Sequence, residues 1–127
     1  MTTLSRARNF DLIRSILLAV EASPPNSTIT NSQLDIEGVD PATVAFHVEM
    51  LKDAGYIDAA IAQNFSGIQR FMIKKINWDG YEFLDNAKNN TVWKKFKAQA
   101  EAKGSSMSIT VANGVLTTLA KKYIGLD

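Results

Sequence analysis

The chain has 127 residues, 46% of them hydrophobic and 21% charged, and its formal net charge is +1. This length and composition predict one soluble globular domain, residues 1–127, that buries its own core. The chain contains no cysteine, which excludes disulfide frameworks, zinc fingers and thiol nucleophiles and favours a reducing, cytoplasmic compartment. We expect no membrane segment, because no apolar run is long enough to cross a bilayer.

The charges are distributed unevenly along the sequence. Residues 31–60 contain one lysine and six carboxylates, a net charge of −5. Residues 91–127 contain six lysines and two carboxylates, a net charge of +4. We therefore expect separate electronegative and electropositive surfaces.

The first half of the chain contains two predicted helices. Apolar residues recur every three or four positions over residues 9–22, which predicts a helix that ends before Pro24 and Pro25. A short strand is predicted at residues 34–37. Asp40 followed by Pro41 is typical of a helix cap and first helical residue, and this second helix continues to Ala54 before Gly55 interrupts it.

The second half begins with a predicted β-hairpin. Its strands are residues 56–61 and 70–76, and the turn-forming residues 63–67 separate them. Asn77 or Asp79 then caps a helix, the pair Asn89-Asn90 separates it from a second helix, and a last helix covers residues 108–124. The predicted fold is α+β and mostly helical: a winged helix-turn-helix core (residues 9–77) with a two-stranded wing, and a C-terminal helical extension (residues 78–127).

Three separated segments carry a family resemblance: residues 10–18, residues 41–57, and residues 76–85 followed by Trp93. The segment 41–57 resembles the recognition helix of many bacterial winged-helix regulators. Together the segments are similar to a family of small proteins of unknown function found in phages, prophages and other mobile elements. The resemblance covers residues 10–96 and implies a winged-helix fold and a mobile-element setting, with no catalytic residue. Asn77 stands where we expect threonine.

The predicted wing contains the candidate nucleic-acid contacts. Cationic and amide side chains bind phosphates and groove edges, and solvated charges on an edge strand are the alternative interpretation. The candidates are Gln63, Asn64, Gln69, Arg70, Lys74 and Lys75.

The exposed positions of the second helix favour a different partner. Base reading requires hydrogen-bond donors such as Arg, Lys, Asn or Gln, whereas these positions are apolar or acidic. They are Ala45, Phe46, Glu49, Met50 and Asp53. They predict either a protein-binding patch, for example toward a host complex, or a surface on which the C-terminal helices cover Phe46 and Met50.

No other motif indicates catalysis, a metal or a cofactor. His47 is the only histidine, and its place beside Val48 predicts a half-buried packing role. The spacing of Asp79, Glu82 and Asp85 places them on one face of a helix. Such a group is more often a plain acidic surface than a cation site. The sequence therefore predicts a non-catalytic binding module whose partner is DNA or a nucleoprotein complex, or alternatively a host protein. An alternative partner for the basic C-terminal helices, with Lys94, Lys95, Lys97 and Lys103, is a second copy of the chain, which would form a homodimer.

Overall fold

A computed structural model of the chain describes residues 8–63, 69–102 and 107–124. Its elements alternate helices and strands in the first part and are helical in the second. In chain order they are α1 (Phe10–Ala22), β1 (Ile29–Thr30), α2 (Pro41–Asp53), β2 (Ile57–Gln63), β3 (Gln69–Ile76), α3 (Trp78–Ala87), α4 (Asn90–Ala102) and α5 (Ile109–Ile124). The expected α+β, mostly helical class is confirmed.

The chain forms two compact units, Met1–Gly80 and Tyr81–Asp127. The boundary between them falls inside α3. The organisation expected from the sequence, one domain with a core ending at residue 77, stays a prediction.

Helix α1 forms where its apolar periodicity predicts it. The Asn9 side chain caps the helix, because its Oδ1 accepts a hydrogen bond from the Leu12 N–H at 3.1 Å. One face of the helix is fully buried, and this face packs against α2 and β3. It consists of Leu12, Ile13, Ile16, Leu17 and Val20. The helix ends at Ala22, ahead of the two prolines.

The strand predicted at residues 34–37 is wrong, and β1 lies earlier, at Ile29–Thr30. Ile29 pairs with Ile73 and Thr30 pairs with Met72, so a long-range register decides where this strand lies. Residues 31–33 turn and residues 34–36 have no regular structure, although Leu34 is buried. The apolar residue that suggested a strand is therefore a core residue carried by irregular chain.

The side chain of Asn31 continues the pairing of β1 beyond its two residues. Its Oδ1 accepts from the Phe71 N–H at 2.7 Å, and its Nδ2 donates to the Gln69 carbonyl at 2.9 Å. One amide side chain thus supplies the acceptor and the donor that a further β1 residue would offer to β3.

Helix α2 begins and ends as predicted. Asp40 caps it by accepting a hydrogen bond from the Ala42 N–H at 2.8 Å, and Pro41 is its first residue. At the other end Gly55 adopts φ +80°, which lets the Tyr56 N–H donate to the Leu51 carbonyl at 2.9 Å.

The predicted hairpin is formed by β2 and β3, which pair antiparallel in a three-stranded sheet of order β1-β3-β2. Side chains of β3 alternate between a buried and an exposed face: Phe71 and Ile73 are buried, whereas Arg70, Met72 and Lys74 are exposed. The register shifts between Asp58 and Ala59 of β2, opposite Lys75 and Ile73. The predicted turn residues 64–67 lie outside the described residues.

The second unit contains α4, α5 and most of α3. Asn89 caps α4 by accepting from the Val92 N–H at 3.0 Å, and the Ser108 hydroxyl accepts from the Val111 N–H at 3.1 Å at the start of α5. Three aromatic rings form its core: Trp93 packs edge-on to Phe83 at 6.3 Å and stacks on Phe96 at 5.0 Å. The predicted helices of this region are thus present.

Candidate functional site

The cationic candidates of the wing lie on one strand. Arg70, Lys74 and Lys75 are all exposed on β3. Ala62 of β2 lies opposite Arg70, and Asp58 lies opposite Lys75. The structure therefore displays three cations on one side of the hairpin, with a carboxylate beside the last of them.

The polar candidates near the wing tip connect to helix α2. The Gln69 side-chain amide donates to the Glu49 carboxylate at 3.1 Å. Gln69 was a candidate for nucleic acid and Glu49 a candidate for protein, so the structure brings the two predicted patches into contact. One N–H of the Gln69 amide is therefore occupied, and a negative charge lies next to it. Gln63 is the last residue of β2 and pairs with Gln69. The side chain of Gln63 and the whole of Asn64 lie outside the described part of the structure.

The exposed face of α2 differs from the one expected from the sequence. Ala45 is only 3% exposed, so its prediction as a surface residue is wrong: it lies one residue after buried Val44 on the core side of the helix. Phe46, Glu49 and Met50 are half-buried, and Asp53 is exposed. The accessible part of this face is therefore narrow and carries two carboxylates.

His47 is more deeply buried than predicted, with none of its surface exposed. Its Nε2 lies 2.9 Å from the Asn9 backbone nitrogen, which is a donor, so Nε2 accepts that hydrogen bond. Its Nδ1 lies 2.8 Å from the Thr43 carbonyl, so Nδ1 carries the proton. Burial lowers the pKa of His47, while the bond to Thr43 acts in the opposite direction.

This environment gives His47 a structural role. The ring joins the start of α1 to α2, and both of its nitrogens already have partners. No lone pair is left for a metal ion or for general-base chemistry. The packing role expected from the sequence is thus supplemented by a polar link between two helices, which sequence reasoning missed.

A groove of about 480 Å³ lies on the sheet near the wing. Its lining comes from all three strands and the turn after β1, and is mostly apolar, with Arg70 as its cation. The lining residues are Thr30, Asn31, Ser32, Ala60, Ile61, Ala62, Arg70, Phe71 and Met72. The groove and the cations of β3 share Arg70, so one surface combines apolar contact with positive charge.

The basic residues of α4 lie in the second unit. Lys94 is exposed, and the Lys95 Nζ lies 4.4 Å from the centre of the Tyr123 ring. Lys97 is half-buried, and Lys103 lies outside the described residues. The predicted pairing of two copies through these helices stays a prediction.

Two features are absent from the described residues 8–63, 69–102 and 107–124. No group of three or more histidine or carboxylate side chains there is arranged to hold a metal ion. Each helix in these ranges is too short or too polar to span a membrane.

Comparison with known proteins places this chain in a family. Residues 7–106 match the family model described as "Hypothetical protein (DUF2513)". A protein from Haemophilus influenzae, described as an uncharacterised protein, is 32% identical over an alignment of 121 residues that covers 92% of this chain and 98% of that protein. No solved structure matches the chain. The chain therefore belongs to the DUF2513 family of hypothetical proteins.

Proposed function

We propose that the protein is a non-catalytic winged-helix module that binds nucleic acid through the outer face of its hairpin, as a regulator of the phage and mobile-element type. The order α1, β1, α2, β2, β3 and the antiparallel sheet β1-β3-β2 support the winged-helix assignment. The cytoplasmic compartment expected from the absence of cysteine is compatible with this partner.

The observation that carries the proposal is the position of three exposed cations on β3, Arg70, Lys74 and Lys75. Exposed lysine and arginine side chains on a hairpin neutralise backbone phosphates without reading sequence. Helix α2 is a poor reader of bases, because Ala45 is buried and Glu49 and Asp53 repel phosphate. We therefore propose that the wing makes the main contact, with low sequence specificity.

A titration into fluorescent random-sequence duplex DNA at several salt concentrations tests this mode. Three phosphate contacts give a slope of log K against log salt of about −2.7, so affinity falls roughly 40-fold between about 50 and 200 mM salt. Neutralising Arg70, Lys74 and Lys75 together to Gln is expected to remove this slope.

The matched control neutralises three lysines of the second unit that are also exposed: Lys94, Lys121 and Lys122. Both triple variants lose the same charge, so only a specific contact distinguishes them. Equal losses in the two variants mean that net charge alone drives binding. Absence of binding at low salt rejects the proposed function.

The alternative function is a protein-binding module that uses α2, for example as an inhibitor or adaptor of a host complex. It is favoured by the half-exposed apolar pair Phe46 and Met50 beside the carboxylates Glu49 and Asp53. This alternative predicts that Phe46→Asp leaves thermal stability unchanged and abolishes partner capture. Unfolding of that variant assigns Phe46 to the core and removes the alternative.

A further inference from the structure

Strand β2 presents an open edge. The sheet order β1-β3-β2 places β2 at one side of the sheet, and β3 is the one strand among the described residues that pairs with it. Within the described part of the first unit, no further strand and no other hydrogen bond occupies the backbone of residues 57–62. An unpaired strand edge is a template for another strand.

The sequence of β2 does little to block such pairing. Lysine, proline or a bulge commonly protects an edge, whereas β2 contains alanine at positions 59, 60 and 62 and only one charge, Asp58. The register shift between Asp58 and Ala59 adds its extra residue to the inner strand β3, because Asp58 pairs with Lys75 and Ala59 with Ile73. Residues 59–63 keep an unbroken register and thus offer a regular edge.

We propose that two copies of this chain pair antiparallel through their β2 edges, with Ala60 facing Ala60 of the second copy. A two-fold axis perpendicular to the sheet relates the two copies. This axis keeps the corresponding faces of the two sheets on the same side, so each β2 residue pairs with a residue whose side chain lies on the same face. In this register Asp58 lies opposite Ala62 of the second copy. Ile61, which is half-buried, lies beside Ala59 of the second copy and extends the buried face.

Charge complementarity selects the register. Asp58 pairs with Lys75 and Ala62 pairs with Arg70 inside each copy, so the row runs from Lys75 and Asp58 through Ala62 of the second copy to its Arg70. Asp58 and that Arg70 are two strand spacings apart, roughly 9.6 Å between backbones. The intervening alanine leaves room for the long arginine side chain to reach the carboxylate. Sliding the pairing by two residues in either direction removes Arg70 from this row.

The dimer and the proposed nucleic-acid contact share Arg70, and Lys74 and Lys75 remain available to phosphate in the dimer. The two proposals are tested by separate measurements. The dimer is tested by the molecular mass in the absence of DNA, whereas nucleic-acid binding is tested by the salt dependence of affinity for DNA. Failure of one proposal therefore leaves the other in place.

The test is a charge exchange followed by sedimentation equilibrium of the full chain. The unmodified protein is expected at about 28 kDa, twice the 14.0 kDa chain. In a homodimer, Asp58→Arg makes positions 58 and 70 of each row both cationic, and Arg70→Asp makes them both anionic, so each protein alone is expected at 14.0 kDa at the same concentration. An equimolar mixture restores an opposite-charged pair in both rows and is expected to return to the dimer mass.

A second variant provides an independent check at the axis. Ala60→Lys places two like charges opposite each other and is expected to give monomer, whereas Thr110→Lys, an equal charge change at an exposed position of α5, is expected to keep the dimer. Circular dichroism verifies that each variant is folded.

Three results overturn the proposal. The first is that the unmodified protein stays monomeric up to its solubility limit. This result counts against the dimer even if the β2 edge binds a foreign peptide strand. The second is a dimer that survives Ala60→Lys, which places the contact elsewhere, for example in the C-terminal helices. The third is a mixture of the two charge variants that stays monomeric.

Discussion

Acidification is expected to destabilise the protein through His47. The folded state holds this ring neutral, because Nε2 accepts from the Asn9 N–H and burial disfavours the charged form, so the pKa of His47 lies below its ordinary value. As pH falls through about 6.5, the unfolded chain takes up a proton that the folded chain resists. Stability is therefore complete above that pH and declines below it, until the folded-state pKa is reached.

The size of the effect follows from proton linkage. The slope is at most about 1.4 kcal/mol per pH unit, so the free energy of unfolding falls by up to about 2 kcal/mol between about pH 7.5 and pH 5.0. Urea denaturation at a series of pH values measures it. Since His47 is the only histidine, no second imidazole contributes to the slope.

His47→Gln is the matched control. Glutamine carries one acceptor and one donor for Asn9 and Thr43 and does not titrate. The variant is expected to be less stable at neutral pH, because it packs less well, but to lack the His47 contribution to the slope above pH 5. Identical slopes in the two proteins would refute the assignment of His47 as a buried neutral link.

Two further predictions concern Gly80 and Asn31 of the first unit, and Gly114 of the second unit is the control for Gly80. A Cβ at Gly80 would overlap the Tyr56 carbonyl oxygen and approach Ile76 Cγ2 to 2.7 Å, so Gly80→Ala is expected to cost about 1–3 kcal/mol of stability. Gly114 lies in open space within α5, so Gly114→Ala is expected to raise the free energy of unfolding by about 1 kcal/mol. Melting temperatures that shift in the same direction for both variants would contradict this prediction. Asn31→Ala removes two hydrogen bonds to β3 and is expected to cost about 2 kcal/mol and to speed amide exchange at Phe71, whereas unchanged exchange would deny the strand-like role of this side chain.

The local elements were predictable because their signals are local. The cap at Asp40, the proline at position 41 and the apolar periodicity of α1 act within a few residues, and the structure follows them. Strand β1 was not predictable in this way. Its two residues owe their position to pairing with Ile73 and Met72, which are more than forty residues away along the chain.

The candidate site was predictable in composition and much less in arrangement. Sequence identified Arg70, Lys74 and Lys75 as exposed cations, and helical spacing alone placed Ala45 on the surface, where the structure buries it. The hydrogen bond between Glu49 and Gln69 joins residues twenty positions apart and depends on how α2 lies against the hairpin. No spacing rule contains that information.

The two tryptophans give the two units different spectroscopic behaviour. Trp93 lies in the aromatic core of the second unit, whereas Trp78, in the first unit, is 81% exposed. Unfolding changes the surroundings of Trp93 and hardly those of Trp78, so the red shift of fluorescence emission follows the second unit. Circular dichroism follows the backbone of both units. Coincident transitions by these two probes therefore indicate that the units unfold together, and separated transitions indicate that each unfolds on its own.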